Sequence, residues 1–235
     1  MRPSSLTLWK LCGALLCLAA TPLFAAEPPP DPDPARWDKE IAAFHEAART
    51  NPPAPGGWLF TGSSSVRLWK TLAADFPELK PANRGFGGSH TSDLTALASQ
   101  VIDPCAPAHV VIYEGDNDIA GGKAPERVAN DFKTLVSTIH AKFPEARIYY
   151  LSIKASPSRW KLQAEIRLAN QLIQNHCSQT PGLVYIDTFN PLLDANGLPD
   201  PKWFVDDKLH LNAEGYKLWT GIVRRKLGLP PKPAN

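Results

Sequence analysis

The chain has 235 residues, of which 43% are apolar, 20% charged and 9% aromatic. These fractions exclude a disordered or collagenous chain, and a chain of this length buries about 70% of its unfolded surface, so it folds without a metal or disulfide staple. The formal charge of +2 belongs to the first 26 residues, where Arg2 and Lys10 are the only charged side chains, and the remainder carries 23 basic and 23 acidic residues. That balance excludes bulk electrostatic binding to nucleic acid or to anionic lipid.

Arg2 and Lys10 precede an apolar run from Leu11 to Phe24, closed by Ala25 and Ala26. A basic start, a short apolar middle and small residues at the exit predict a secretory signal peptide over residues 1–26. The run, at about 14 residues, is short of the roughly 20 needed to cross a bilayer. The expected mature protein is therefore exported, periplasmic or extracellular, with no stable membrane span. Residues 27–55 read as a proline-containing extension with a first helix, 56–228 as one domain, and 229–235 as a tail. Cys105 and Cys177 remain after removal of the signal. An oxidising compartment permits them to pair; two separate buried thiols are the alternative.

Along the domain, strands and helices alternate. Trp58 to Thr61 is a short apolar strand that ends in Gly62-Ser63-Ser64. A weaker strand near Pro81 to Arg84 leads into a helix through Leu94, Leu97 and Val101. The β-branched run His109 to Tyr113, bounded by Pro107 and Gly115, is the clearest strand. Helical spacing follows in Val128, Phe132, Leu135, Val136 and Ile139. Arg147 to Ser152 is the next strand, a helix carries Leu162, Ile166, Ala169 and Ile173, and Leu183 to Asp187 is the last strand. A final helix runs from about Ala213 to Leu227. Such alternation predicts an α/β fold, a mostly parallel sheet with helices on both faces. Ligands of such sheets bind beyond the carboxyl ends of the strands, and the reactive polar residues stand there.

Four blocks carry chemistry. In Gly62-Ser63-Ser64 a glycine allows a sharp turn that exposes a serine, although serine-rich helix caps look the same. Asn83-Arg84-Gly85-Phe86-Gly87-Gly88-Ser89 brings backbone N–H groups close to a ligand. It lacks both the dinucleotide spacing and the lysine of a phosphate loop. Gly115-Asp116-Asn117-Asp118 places an amide donor at a strand end, suited to an oxygen that becomes negative. In Asp207-Lys208-Leu209-His210 the carboxylate can hold one imidazole nitrogen and leave the other facing a pocket. Alone, that pair reads equally as a helix cap beside a surface histidine.

Taken together, in this order, the blocks resemble the SGNH (GDSL) superfamily of serine esterases and lipases, over nearly the whole stretch from Trp58 to about Leu227. The resemblance implies a three-layer α/β/α sandwich with a flavodoxin-like sheet in strand order 2-1-3-4-5. It makes Ser64 the nucleophile and Asp207 and His210 its partners. Ser64, Gly88 and Asn117 then supply the oxyanion hole. Ser63 departs from the family pattern, where Asp is commoner. The activity implied is hydrolysis of carboxylic esters without metal or organic cofactor, on short acyl esters, O-acetylated carbohydrates or lysophospholipids. His90, Lys154, Arg159, Trp160 and Trp203 are candidates for substrate contact. Two other readings are a metal-dependent phosphoesterase built on Asp116, Asp118 and His90, and a non-catalytic carbohydrate-binding or surface protein on the same fold. Acyl length, leaving alcohol and oligomeric state are not set by the sequence.

Overall fold

A computed structural model of the chain describes residues 29–232. The signal peptide expected over residues 1–26 lies outside the described residues, as do the last three positions of the tail. Five parallel strands among the described residues form one sheet in the order β2-β1-β3-β4-β5. They are β1 (Trp58–Gly62), β2 (Ala82–Gly85), β3 (His109–Tyr113), β4 (Arg147–Leu151) and β5 (Leu183–Ile186). The helices in chain order are α1 (Asp38–Thr50), α2 (Ser64–Arg67), α3 (Leu72–Asp75), α4 (Thr91–Ala96), α5 (Ala98–Val101), α6 (Asp116–Ala120), α7 (Pro125–Lys142), α8 (Gln163–Gln179) and α9 (Ala213–Lys226).

The register shows how the layers arise. Phe60 pairs with Val111, and Val111 with Tyr149, so these residues share one face of the sheet. Leu59, Val110 and Ile148 share the other. Because side chains alternate along a strand, both faces are apolar only where both are covered. On the Phe60 face Trp69 packs edge-on to Phe60, and Trp219 of α9 meets both Trp69 and Tyr113. On the opposite face Phe132 of α7 meets Tyr150 at 4.7 Å. The outcome is the expected sandwich, with the carboxyl ends of all strands on one edge.

The structure sharpens the sequence reading at three places. The helix expected through Leu94 and Val101 breaks at Leu97 into α4 and α5. Cys105 and Cys177 are separate buried thiols; burial pushes both above the usual thiol range, Cys177 to about 12. Residues 27–55 carry the expected first helix, α1, and their described part packs onto the domain. Trp37 and Ile41 are buried in the core, with the Trp37 ring edge-on to Phe86 at 5.5 Å. Arg36 pairs with Asp93 at 2.6 Å, and Asp31 with Lys123 and Arg127.

Candidate active site

Each reactive residue is delivered by the end of a strand or by the loop before α9. Gly62 closes β1 with φ +118°, and a Cβ there would stand 2.1 Å from the Tyr113 carbonyl oxygen, so only glycine fits. The chain turns at this point, the Ser63 N–H donates to that carbonyl, and Ser64 begins α2. Tyr216 of α9 donates its hydroxyl proton to the Ser65 carbonyl at 2.9 Å and steadies the turn.

Asp207 and His210 lie in a loop closed by a bridge between Phe204 and Leu211 and by the Val205 N–H on the His210 carbonyl. The Asp207 Oδ1 atom accepts the Leu209 and His210 backbone N–H groups, and Oδ2 lies 2.5 Å from His210 Nδ1. With the Nδ1 proton directed at the carboxylate, Nε2 is left to accept from Ser64 Oγ, 2.9 Å away. Burial is the largest single influence on Asp207 and opposes its ionisation, but the backbone N–H and ring of His210 and the Leu209 N–H together outweigh it and lower its pKa to about 2. Lys208 occupies the left-handed region at φ 57°, a strain of about 1 kcal/mol for a non-glycine residue. Its carbonyl accepts the Ser158 N–H, which ties this loop to the one after β4.

Gly88 has φ +82° and open space on the side where a Cβ would point, with only the Trp37 ring at 3.5 Å. Asn117, in α6, directs Nδ2 at Ser63 Oγ (2.7 Å) and at the Ser89 carbonyl (3.0 Å). Its Oδ1 accepts from Arg159 at 2.9 Å. Ser63, where the superfamily pattern has Asp more often, thus meets Asn117 through a neutral hydroxyl.

The fate of the candidate substrate contacts differs from the sequence reading. Lys154 does not line a cleft: it is 1% exposed, because it ion-pairs with Asp116 at 2.5 Å and donates to the Tyr113 hydroxyl. Arg159 turns inward, onto Asp116 (2.5 Å) and Asn117. Burial works against the Asp116 carboxylate, yet Lys154 and Arg159 together hold it far below the usual range. Burial pulls the Lys154 ammonium down, against the attraction of the same carboxylate. Trp160 stacks on Phe189 and lies under Arg167. Trp203, half-buried, belongs to the turn before the Asp207 loop, with Lys202 over its ring at 4.6 Å. His90 precedes α4, and its Nδ1 is buried without a partner among the described residues. Burial lowers its pKa despite nearby Asp118.

The two carboxylates required for the phosphoesterase reading are engaged elsewhere. Asp116 is held by two cations, and Asp118 by Lys123 and the Thr91 N–H. Among the described residues no group of three or more His, Cys, Asp or Glu side chains is placed to hold a metal ion. No helix among them is long and apolar enough to cross a membrane.

A serine hydroxyl 2.9 Å from an imidazole that a carboxylate holds, at the strand ends of a parallel sheet, is an arrangement suited to cleaving esters. The chain belongs to the GDSL-like lipase/acylhydrolase family, whose model matches residues 54–218. It is an ester hydrolase of that family. No curated protein sequence matches it. Among solved structures it is similar to a candidate platelet activating factor from Streptococcus pneumonia, with 20% identity over 83% of this chain and 92% of the other, TM-score 0.71. A GDSL-like lipase from Bacteroides thetaiotaomicron gives 18% identity, 83% and 97% coverage and TM-score 0.65. An acetylxylan esterase from Geobacillus stearothermophilus gives 15%, 78% and 99%, and 0.62. At these identities the likeness concerns the fold.

Proposed function

We propose that the chain is an exported carboxylic ester hydrolase that works through a Ser64 acyl-enzyme. The observation that carries this reading is the continuous relay from Ser64 Oγ to His210 Nε2 (2.9 Å) and from His210 Nδ1 to Asp207 (2.5 Å). His210 takes the Ser64 proton as Oγ attacks the ester carbonyl, and Asp207 holds the ring and stabilises its charged form. The negative oxygen meets the Ser64 and Gly88 N–H groups and the Asn117 amide. His210 then protonates the departing alcohol, and a water activated by the same ring releases the acid. Two of the similar acetylxylan esterase structures are catalytic mutants, one with a serine and one with a histidine replaced by alanine, which supports these roles.

The substrate class is an ester of a small acyl group, an O-acetylated carbohydrate or a lysophospholipid. Ser64→Ala should lower turnover by roughly 10⁴-fold or more across a panel of acetyl, butyryl, octanoyl, sugar-acetyl and lysophospholipid esters, with an unchanged thermal midpoint. Near-parental turnover in that variant would remove the assignment. Export rests on the basic, apolar and small-residue pattern of residues 1–26. N-terminal sequencing of protein secreted from a bacterial host should begin at Ala26 or Glu27; an intact chain retained inside would reject it.

A further inference from the structure

Asn117 can donate to a negative oxygen only in one of its two amide orientations, which have nearly the same shape. Its neighbours decide between them. The Ser89 carbonyl, 3.0 Å from Nδ2, can only accept, and the Arg159 guanidinium, 2.9 Å from Oδ1, can only donate. A flipped amide would set oxygen against oxygen on one side and N–H against N–H on the other. Arg159 is itself held. Its other terminal nitrogen donates to Asp116, which also takes Lys154 and the Tyr113 hydroxyl. The backbone that carries Lys154 is clamped by Asn170 of α8, whose amide both accepts the Ile153 N–H and donates to the Ile153 carbonyl, each at 2.8 Å.

We propose that Arg159 is a positioning residue: it fixes the Asn117 amide so that one N–H stays on the Ser89 carbonyl and the other, which rests on Ser63 Oγ at 2.7 Å, is the one passed to the oxyanion, and Asp116 and Lys154 hold Arg159 in place. The proposal rests on the Ser64 reading above. Two cations against one carboxylate leave a surplus positive charge behind the amide oxygen. A charge-assisted bond there withdraws electrons from the amide and makes its N–H groups better donors as the oxyanion forms. Arg159 therefore acts on the barrier rather than on ground-state binding of the ester.

The test is a double-variant cycle on Arg159 and Asn117, read as kcat and KM separately. Arg159→Met should lower kcat by roughly 10- to 100-fold, part of what loss of an oxyanion donor costs, with KM nearly unchanged. In the presence of Asn117→Ala the same substitution should change kcat by no more than about twofold, because the group it positions is gone. Arg159→Lys, which can reach one partner but not both, should fall between parent and Met, and it replaces Met in the cycle if that variant fails to fold. A raised KM with parental kcat would identify Arg159 as a substrate contact and overturn the proposal. So would losses that multiply in the double variant while Asn117→Ala is itself impaired. Parental kcat in Asn117→Ala would overturn the proposal together with the oxyanion role, whereas parental turnover in Ser64→Ala would bring down the acyl-enzyme reading beneath both.

Discussion

The two sides of the site are built differently. Asp207 and His210 are three residues apart, and the carboxylate binds the ring and two backbone N–H groups within a single turn. Their side chains are 47% and 24% exposed. On the oxyanion side Asn117 depends on partners 28, 42 and 54 positions away, at Ser89, Arg159 and Ser63. Behind it lie Asp116 and Lys154, with side chains 4% and 1% exposed. In the proposed mechanism the general base moves a proton and exchanges with water, which a local, solvated turn suits. The Asn117 donor must not reorganise as charge forms, and it is backed by a buried ion-pair network.

Asp207→Asn should break the first side most severely. The amide accepts or donates without fixing the ring tautomer, and kcat should fall by about 10⁴-fold. Because the carboxylate is half exposed and screened, the thermal midpoint should hardly change. A kcat within tenfold of the parent would mean that the backbone alone orients His210. Asn117→Ala tests the second side. Turnover should fall by about 10²- to 10³-fold, while covalent capture of Ser64 by an active-serine phosphonate stays detectable. Equal turnover in variant and parent would reject the donor role.

Trp37→Ala extends the comparison to the segment before β1. Its ring packs against Phe86 and beside Gly88, so it supports the loop that carries the second proposed oxyanion donor. Removal of a buried tryptophan should cost about 3 kcal/mol in denaturant unfolding and lower kcat through Gly88. Labelling of Ser64 should be slowed but not abolished. A variant of parental stability would show that the segment only covers the domain.

This division explains what was legible in the sequence. The strands and their ends follow from alternation and apolar periodicity, the sheet order follows only from the family resemblance that the four blocks carry, and the Asp207–His210 pair is visible because its spacing is its geometry. The supports of Asn117 are not local. Nothing around Asp116 announces a partner at Lys154 or Arg159, and a lysine followed by Ala-Ser-Pro-Ser after a strand reads as surface loop until the fold buries it. The same holds for Trp37. A tryptophan among prolines and charges carries no periodic signal, and only its contact with Phe86 reveals that it belongs to the core. Adjacency to a motif residue was the one available clue, since Asp116 precedes Asn117 directly.

Glu114, between β3 and α6, gives the mildest break and the sharpest reading of electrostatics on the buried side. It is fully buried, and its Oε1 lies 2.6 Å from Ser89 Oγ, which is also 3.0 Å from the Phe86 carbonyl. A hydroxyl has one proton. If Ser89 gives it to the Phe86 carbonyl, which can only accept, the short contact to Glu114 requires the carboxyl to be the donor. Burial first, then Asp118, Asp93 and Asp116, push the Glu114 pKa well above the ordinary value of 4.5, against the Ser89 hydrogen bond. Lys123 faces Asp118, and Lys154 faces Asp116, so neither cation pairs with Glu114. In the unfolded chain Glu114 ionises near 4.5, whereas burial in the fold holds its pKa well above that. The contribution of Glu114 to stability is thus complete below the unfolded pKa and is lost as pH rises toward the folded one, by up to about 1.4 kcal/mol per pH unit. Glu114→Gln keeps a donor to Ser89 and cannot ionise. Urea unfolding at about pH 5 and about pH 8 should therefore show the variant gaining on the parent at the higher pH. Parallel losses in the two proteins would mean that Glu114 is charged in the fold, and that Ser89 donates to it rather than to Phe86.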